Sequence, residues 1–416
     1  MRSIHISLLT FLVFCAACAQ NPKTESEWLN KNTRELATEK GYDFSALKEA
    51  IGDKRIVAIG ESTHGLGTYY AFKSELVQFL YTEMDFDILA MEGGLGDIML
   101  AYQDIDSLSG LELRNNSLFG NFRAKETNEL FTYIKEVSKT DRPLVYAGYD
   151  TQTSSGYFSH RLKKILRPYD QTLADSLDQR LYSYQKSYGA GYAGDSIAYV
   201  KHRDIFVNTA KMAKKILERH KTEIVSKHRL SNLELDIMNR TLSMFARSVD
   251  RPFSEWNNGI ALRDKLMAEN LNWLIKDVYP EKKFIIWAHN AHVEKANNIA
   301  GNIKFMGHFL KEEFGENYYT LGLFAHRGEA YQFWTQKNIP FDNSGMNHIE
   351  KKLADTGRQI AFLNLQDINR SEVTEVLFKT VTAYELENGG IIEFIPTDRF
   401  DGIISFKEGT PPIYNE

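Results

Sequence analysis

Four short apolar runs in this chain end on residues that can move protons. RIVAIG (55–60) leads into GESTHG, which carries Glu61 and His64. FDILAME (86–92) ends on Glu92, ahead of Gly93 and Gly94, and PLVYAGYD (143–150) ends on Asp150. KFIIWAH (283–289) leads into WAHNAH, with His289, Asn290 and His292. Imidazole titrates near neutral pH and a carboxylate can orient it, so the set suits general acid–base chemistry. Each member also has a plainer structural role. Glu61 and Glu92 suit helix N-termini, Thr63 an N-cap and Asp150 an Asx-turn, while His292 suits a helix cap. What argues for a site is that four strand ends deliver such residues together.

The elements that must hold them follow from the same runs. Short β-branched segments alternate with amphipathic ones, the pattern of βαβ units. Further strands are predicted at 318–324, 359–365, 391–395 and 402–406. Phe72, Leu76, Phe79 and Leu80 mark one face of a crossover helix over 70–83. The fold class is therefore α/β: a mostly parallel sheet flanked by helices, a three-layer α/β/α arrangement. In such a sheet ligands bind at the carboxyl ends of the strands, where these polar residues fall. From 155 to 274 the strand-like runs stop. Helices are predicted at 160–188, 197–219, 231–249 and 259–274, with SYGAGYAGDS (187–196) as a hairpin. This segment is expected to form a helical insertion over the carboxyl edge of the sheet. It divides the α/β core into a first part, 24–154, and a second part, 275–416.

Composition narrows the partners. The 416 residues are 43% hydrophobic and 25% charged, and 50 basic against 55 acidic side chains leave a formal charge of -5. That excludes a nucleic-acid binder, which needs a basic stripe to displace counterions. Residues 1–19 read as a signal peptide: Arg2, then the apolar IHISLLTFLVFCAA, too short for a permanent span. Ala16-Ala17-Cys18 resembles a lipobox, although Cys15 rather than Leu stands three residues before Cys18; Ala17-Cys18-Ala19 also fits ordinary signal peptidase. The expectation is an exported protein, periplasmic or an outer-membrane lipoprotein, touching the membrane only through a lipid on Cys18. Both cysteines, Cys15 and Cys18, lie in this segment. Its removal leaves no disulfide and no thiolate.

Taken in order, the motifs resemble the erythromycin esterase-like hydrolases. That family pattern is G-E-x-x-H-G after the first strand, a basic residue downstream and a Glu ending the second strand. An R-D-x-x-M-x-x-N helix and a W-x-H-N-x-H strand end follow. Here these are GESTHG (60–65), Lys73, Glu92, RDKLMAEN (263–270) and WAHNAH (287–292). The similarity runs from about residue 29 to the end and includes FDGII (400–404). Lys73 stands where the esterases carry Arg, and a lysine lacks the bidentate fork of a guanidinium.

The resemblance implies hydrolysis of a small-molecule carboxylic ester or macrolide lactone by activated water, without a covalent intermediate and without a cofactor. Within that reading His64 is the base, and Glu61 or Glu92 orients it. His289 or His292, with Arg263 and Lys73, binds the developing oxyanion or protonates the leaving alcohol. Lys73, Arg263, Asn270 and Asp150 are the expected substrate-binding residues. Arg263 and Asn270 share a helix face, which would let both point into the cleft. No G-x-S-x-G elbow is present, which excludes the common serine hydrolases. Two alternatives stay open. Glu61, His64, His289 and His292 are acceptable zinc ligands for a metal-dependent hydrolase, although no metal is expected. A surface-anchored binding protein could use the same cleft without a base.

Overall fold

The run RIVAIG lies at the centre of the sheet, and its four strand residues are wholly buried. Ile56 and Ala58 face one hydrophobic core while Val57 and Ile59 face another. The period-two alternation of a strand thus puts apolar side chains on both faces, as a strand covered by helices on each side requires. The computed structural model describes residues 22–296, 303–344, 348–385 and 390–414. The export segment and Cys18 lie outside the described residues.

In chain order the strands are β1 (Arg34–Glu35), β2 (Ala37–Thr38), β3 (Gly41–Tyr42), β4 (Ile56–Ile59), β5 (Ile88–Gly94), β6 (Val145–Asp150) and β7 (Phe284–Trp287). They continue with β8 (Tyr318–Gln332), β9 (Lys337–Asp342), β10 (Ile360–Asn364), β11 (Val381–Glu385), β12 (Gly390–Phe394) and β13 (Gly402–Gly409). Among the described residues nine of them form one sheet, ordered β1-β10-β13-β8-β4-β7-β5-β6, with β9 on β8. From β13 to β6 every pairing is parallel. The sheet is therefore mostly parallel and flanked by helices. Antiparallel pairing is confined to β1 with β10, β10 with β13 and β8 with β9. The run at 391–395 is not in this sheet: as β12 it pairs only with β11, with Ile391 and Glu393 exposed and Phe394 buried.

Helix Gly67–Met84 crosses from β4 to β5 and closes at Asp85, which takes the left-handed conformation at φ 56°. Leu76, Val77 and Leu80 pack it against Val57, Leu89 and Ile285. Between β6 and β7 the described chain is helical, from Tyr157–Leu166 to Gly259–Trp273. Phe158, Leu162, Phe206, Ile237, Phe245 and Leu271 from these helices join the core of Ile56, Ala58, Ile88 and Ile286. Of these helices Gly259–Trp273 packs against the edge strand β6, and the apolar residues of the segment join the core on one side of the sheet. The glycine-rich run is more helical than expected. Helix Ser183–Tyr192 continues through it, and the turn narrows to 193–195 before Asp195 caps Ser196–Arg219. Gly191 is there because a Cβ would lie 2.8 Å from the Trp256 ring.

Candidate active site

The carboxyl ends of β4, β5, β6 and β7 share one edge, so the residues that follow them meet. The loop after β4 is pinned by two close backbone approaches. A Cβ on Gly60 would lie 2.1 Å from Asn290 Oδ1, and one on Gly65 would lie 2.2 Å from the Tyr331 carbonyl. These fix the two glycines of GESTHG and hold Glu61 and His64 between them.

Glu61 is fully buried and uses both oxygens. Oε1 lies 2.7 Å from His64 Nδ1 and Oε2 accepts from Lys73 Nζ at 2.7 Å. Lys73, also fully buried, donates to the Ala288 carbonyl at 3.3 Å and sits 4.4 Å from the Trp287 ring centroid. Burial pulls the Lys73 ammonium down to about 8 against the opposing pull of Glu61. Burial works against an ionised Glu61 too, but Lys73 and His64 prevail and its pKa is lowered. An ionised Glu61 fixes the His64 proton on Nδ1, which makes Nε2 the basic nitrogen. The His64 side chain is 19% exposed. Tyr70 anchors it from below by donating to the His64 carbonyl at 2.5 Å.

A second network lies beside the first. Arg263, from helix Gly259–Trp273, forks onto Asp150, with Nε 3.0 Å from Oδ1 and Nη2 2.5 Å from Oδ2. Nη2 also donates to Glu92 Oε1 at 2.9 Å. Glu92 reaches them because the β5–β6 register shifts between Met91 and Gly94, a bulge that re-aims a side chain. His292 bridges two carboxylates: Nδ1 lies 2.7 Å from Asp264 Oδ1, and Nε2 lies 3.3 Å from Glu92 Oε1. Nε2 is equally 3.3 Å from Arg263 Nη1. Burial disfavours a charged ring, yet Asp264 and Glu92 outweigh it and raise His292 to about 10. Glu92 is held well below the ordinary range by His292 and Arg263 despite its burial.

His289 links the two. Its backbone N–H donates to Glu92 Oε2 at 3.2 Å, and its Nδ1 accepts from the Ala291 N–H at 3.2 Å. That acceptor role puts the ring proton on Nε2, which makes it a donor. The His289 ring is centred 5.4 Å from His64 and 6.5 Å from His292. Asn290 ties the turn down, bonding Leu323 through both side-chain atoms at 3.0 and 3.1 Å.

The structure therefore brings together Glu61, His64, Glu92, Asp150, Arg263, His289 and His292. It orients His64 with Glu61, not Glu92. Lys73 and Asp150 turn to Glu61 and Arg263 respectively. Asn270 turns away: its Nδ2 donates to the Tyr149 carbonyl at 2.8 Å and its Oδ1 accepts from Arg240 at 2.8 Å. About two turns of helix separate it from Arg263, so a shared face did not mean a shared target. For zinc, the fit is poor. With Nδ1 of His64 and of His292 facing carboxylates, a metal would need Nε2, and the Arg263 guanidinium stands 3.3 Å from Nε2 of His292. No group of three or more potential ligands is arranged to hold a metal among the described residues.

Two contributors have no role in the sequence reading. Asp264 holds His292; the only signal was its place beside Arg263 in RDKLMAEN. Asp97, buried on helix Leu95–Gln103, accepts from the Ser154 and Phe158 amides at 2.7 and 2.8 Å and fixes the loop after Asp150.

A family model described as erythromycin esterase matches residues 81–409. The Bacillus subtilis protein YbfO, whose name proposes a hydrolase, is 26% identical over 98% of this chain and 96% of its own. Erythromycin esterase type II of Escherichia coli is 21% identical over 78% of this chain and 84% of its own. A Bacillus cereus protein of known crystal structure has the same fold, with a TM-score of 0.73 at 18% identity, covering 94% of this chain and 98% of that one.

Proposed function

The chain belongs to the erythromycin esterase family and is a hydrolase, and we propose that it opens a carboxylic ester or macrolide lactone with water activated by His64. The observation that carries this reading is the 2.7 Å contact between His64 Nδ1 and the ionised Glu61. It leaves Nε2 basic on a partly exposed ring. In the reaction a water oxygen attacks the carbonyl carbon while its proton passes to Nε2. Negative charge moves to the carbonyl oxygen, where the Nε2–H of His289 is suited to donate. The tetrahedral intermediate collapses, the carbon–alkoxide bond breaks, and the alkoxide takes the proton back from His64. Glu61 stabilises the imidazolium between these steps. Ser62 is a poor nucleophile here: it is buried and its hydroxyl is bonded to Tyr69 at 2.9 Å.

The test is a hydrolysis screen of macrolides and p-nitrophenyl esters with the purified protein, with and without a chelator. Turnover that survives chelation and vanishes in His64→Ala is the expected outcome. Turnover lost to the chelator and restored by zinc overturns it. Export with a lipid on Cys18, to the periplasm or outer membrane, is a separate proposal resting on the sequence around Cys18. Fractionation should find Cys18→Ala released from membranes, and a mature N-terminus at Gln20 would show ordinary secretion instead.

A further inference from the structure

We propose that Asp264 is a positioning residue that holds His292 as a permanent imidazolium, a fixed charge beside the base His64. This rests on the hydrolytic reading above and adds a member to that site. Asp264 is fully buried. Its Oδ1 takes His292 Nδ1 at 2.7 Å and the Met306 amide at 2.9 Å, and Oδ2 has no hydrogen-bond partner among the described residues. A carboxylate so far from water is costly unless a cation answers it, and the nearest candidate is the ring it already contacts.

The other groups around His292 act in the same direction or are already balanced. Glu92 from β5 stands 3.3 Å from Nε2. Arg263, on the helix that carries Asp264, opposes a charged ring but is forked onto Asp150 and shared with Glu92. On its own turn His292 has His289, centred 6.5 Å away, and the buried Glu294, which is paired with Arg399 at 2.7 Å. Phe305 covers the ring at 6.2 Å and brings no charge. Nδ1 meets Asp264, and Nε2 stands 3.3 Å from both Glu92 Oε1 and Arg263 Nη1, so a proton on Nε2 is answered by the Glu92 carboxylate against the guanidinium.

What the cation does is set by what it touches. Glu92 is held by His292 and Arg263, and Glu92 Oε2 in turn receives the backbone N–H of His289. Asp264 therefore acts through His292 and Glu92 on the residue whose ring stands 5.4 Å from His64. A carboxylate near each ring nitrogen, strong enough to keep the ring charged against its burial, makes a fixed electrostatic group and leaves no basic nitrogen on the ring.

The experiment is a side-chain 15N NMR titration of the histidines in the intact protein, together with pH–rate profiles of Asp264→Asn and Asp264→Glu on p-nitrophenyl butyrate. In the unaltered protein His292 should stay doubly protonated past pH 8. In Asp264→Asn it should lose a proton near neutrality, and kcat should fall about 10- to 100-fold, the usual size for a lost orienting carboxylate. KM should move little, a new alkaline limb should appear, and Asp264→Glu should restore much of the rate. A His292 that is neutral at pH 7 in the unaltered protein overturns the proposal, even if Asp264→Asn fails to fold. So does Asp264→Asn that folds and keeps the original profile. The NMR reading needs no substrate, so an absence of ester hydrolysis would count against the hydrolytic reading alone.

Discussion

Two carboxylate–histidine pairs stand side by side at the sheet edge and are built to opposite ends. His64 has one carboxylate, Glu61, whose second oxygen is already taken by Lys73. His292 has two, Asp264 and Glu92, one at each ring nitrogen. The first ring keeps a basic nitrogen and is 19% exposed; the second is 11% exposed and raised to about 10. The same residue type, on either side of His289, becomes a proton carrier in one case and a fixed charge in the other. The number of carboxylates and the access of water decide which.

Breaking the first pair should produce the largest loss. His64→Ala removes the proposed base, and general-base contributions run to about 10²- to 10⁴-fold in rate. Because the ring is partly exposed, folding should survive. Turnover on p-nitrophenyl butyrate and a thermal melt are the measurements. A variant that melts normally and keeps most of its turnover ends the assignment of His64 as the base.

Breaking the second pair should show in stability before rate. His292→Gln strands the buried Asp264 and leaves Glu92 with Arg263 alone as its cation, and removing one partner of a buried ion network costs about 3–5 kcal/mol. The sign with pH follows from the raised pKa. The stabilisation is fully present below the unfolded value of about 6.5 and is lost as pH rises through about 10. The gap in denaturant midpoint between the native protein and His292→Gln should therefore be widest near pH 6 and shrink toward pH 10. A gap that widens with pH would mean the ring is neutral in the fold.

These contrasts also mark what the sequence can disclose. His64, Glu61, Glu92, His289 and His292 are legible because apolar runs locate strand ends, and parallel strands must share a carboxyl edge. The division of labour is not, because it depends on which oxygen meets which nitrogen. Asp264 sits in a charged helical stretch where nothing distinguishes it from a surface residue until β7 and its following turn are folded over it. Lys73 is a nearer miss. Tyr70, Lys73, Leu76, Val77 and Leu80 follow helical spacing, so a buried lysine could have been read from the stripe that holds it. The hairpin of β11 and β12 looked like one more sheet strand because a short apolar run carries no mark of its partner.

The smallest effect, and the sharpest on the first pair, concerns Lys73. Its ammonium titrates near 8 because burial outweighs the pull of Glu61. Above that pH Glu61 loses the cation on its Oε2 and its hold on His64 weakens, so the rate should decline through an alkaline limb near pH 8. Unfolding is not the cause, and the sign separates the two. A lysine whose folded pKa lies below its unfolded value of about 10.4 contributes stability that rises with pH between about 8 and 10.4. Lys73→Arg replaces the group with a guanidinium that stays charged throughout, the residue expected here from the family pattern. Turnover at pH 7 should fall by less than about 10-fold, the size of one modest orienting contact. The limb near pH 8 should move beyond pH 9, while the acid limb stays in place because His64 and Glu61 are untouched. A Lys73→Arg protein with the original alkaline limb would assign that ionisation elsewhere and reduce Lys73 to packing over Trp287.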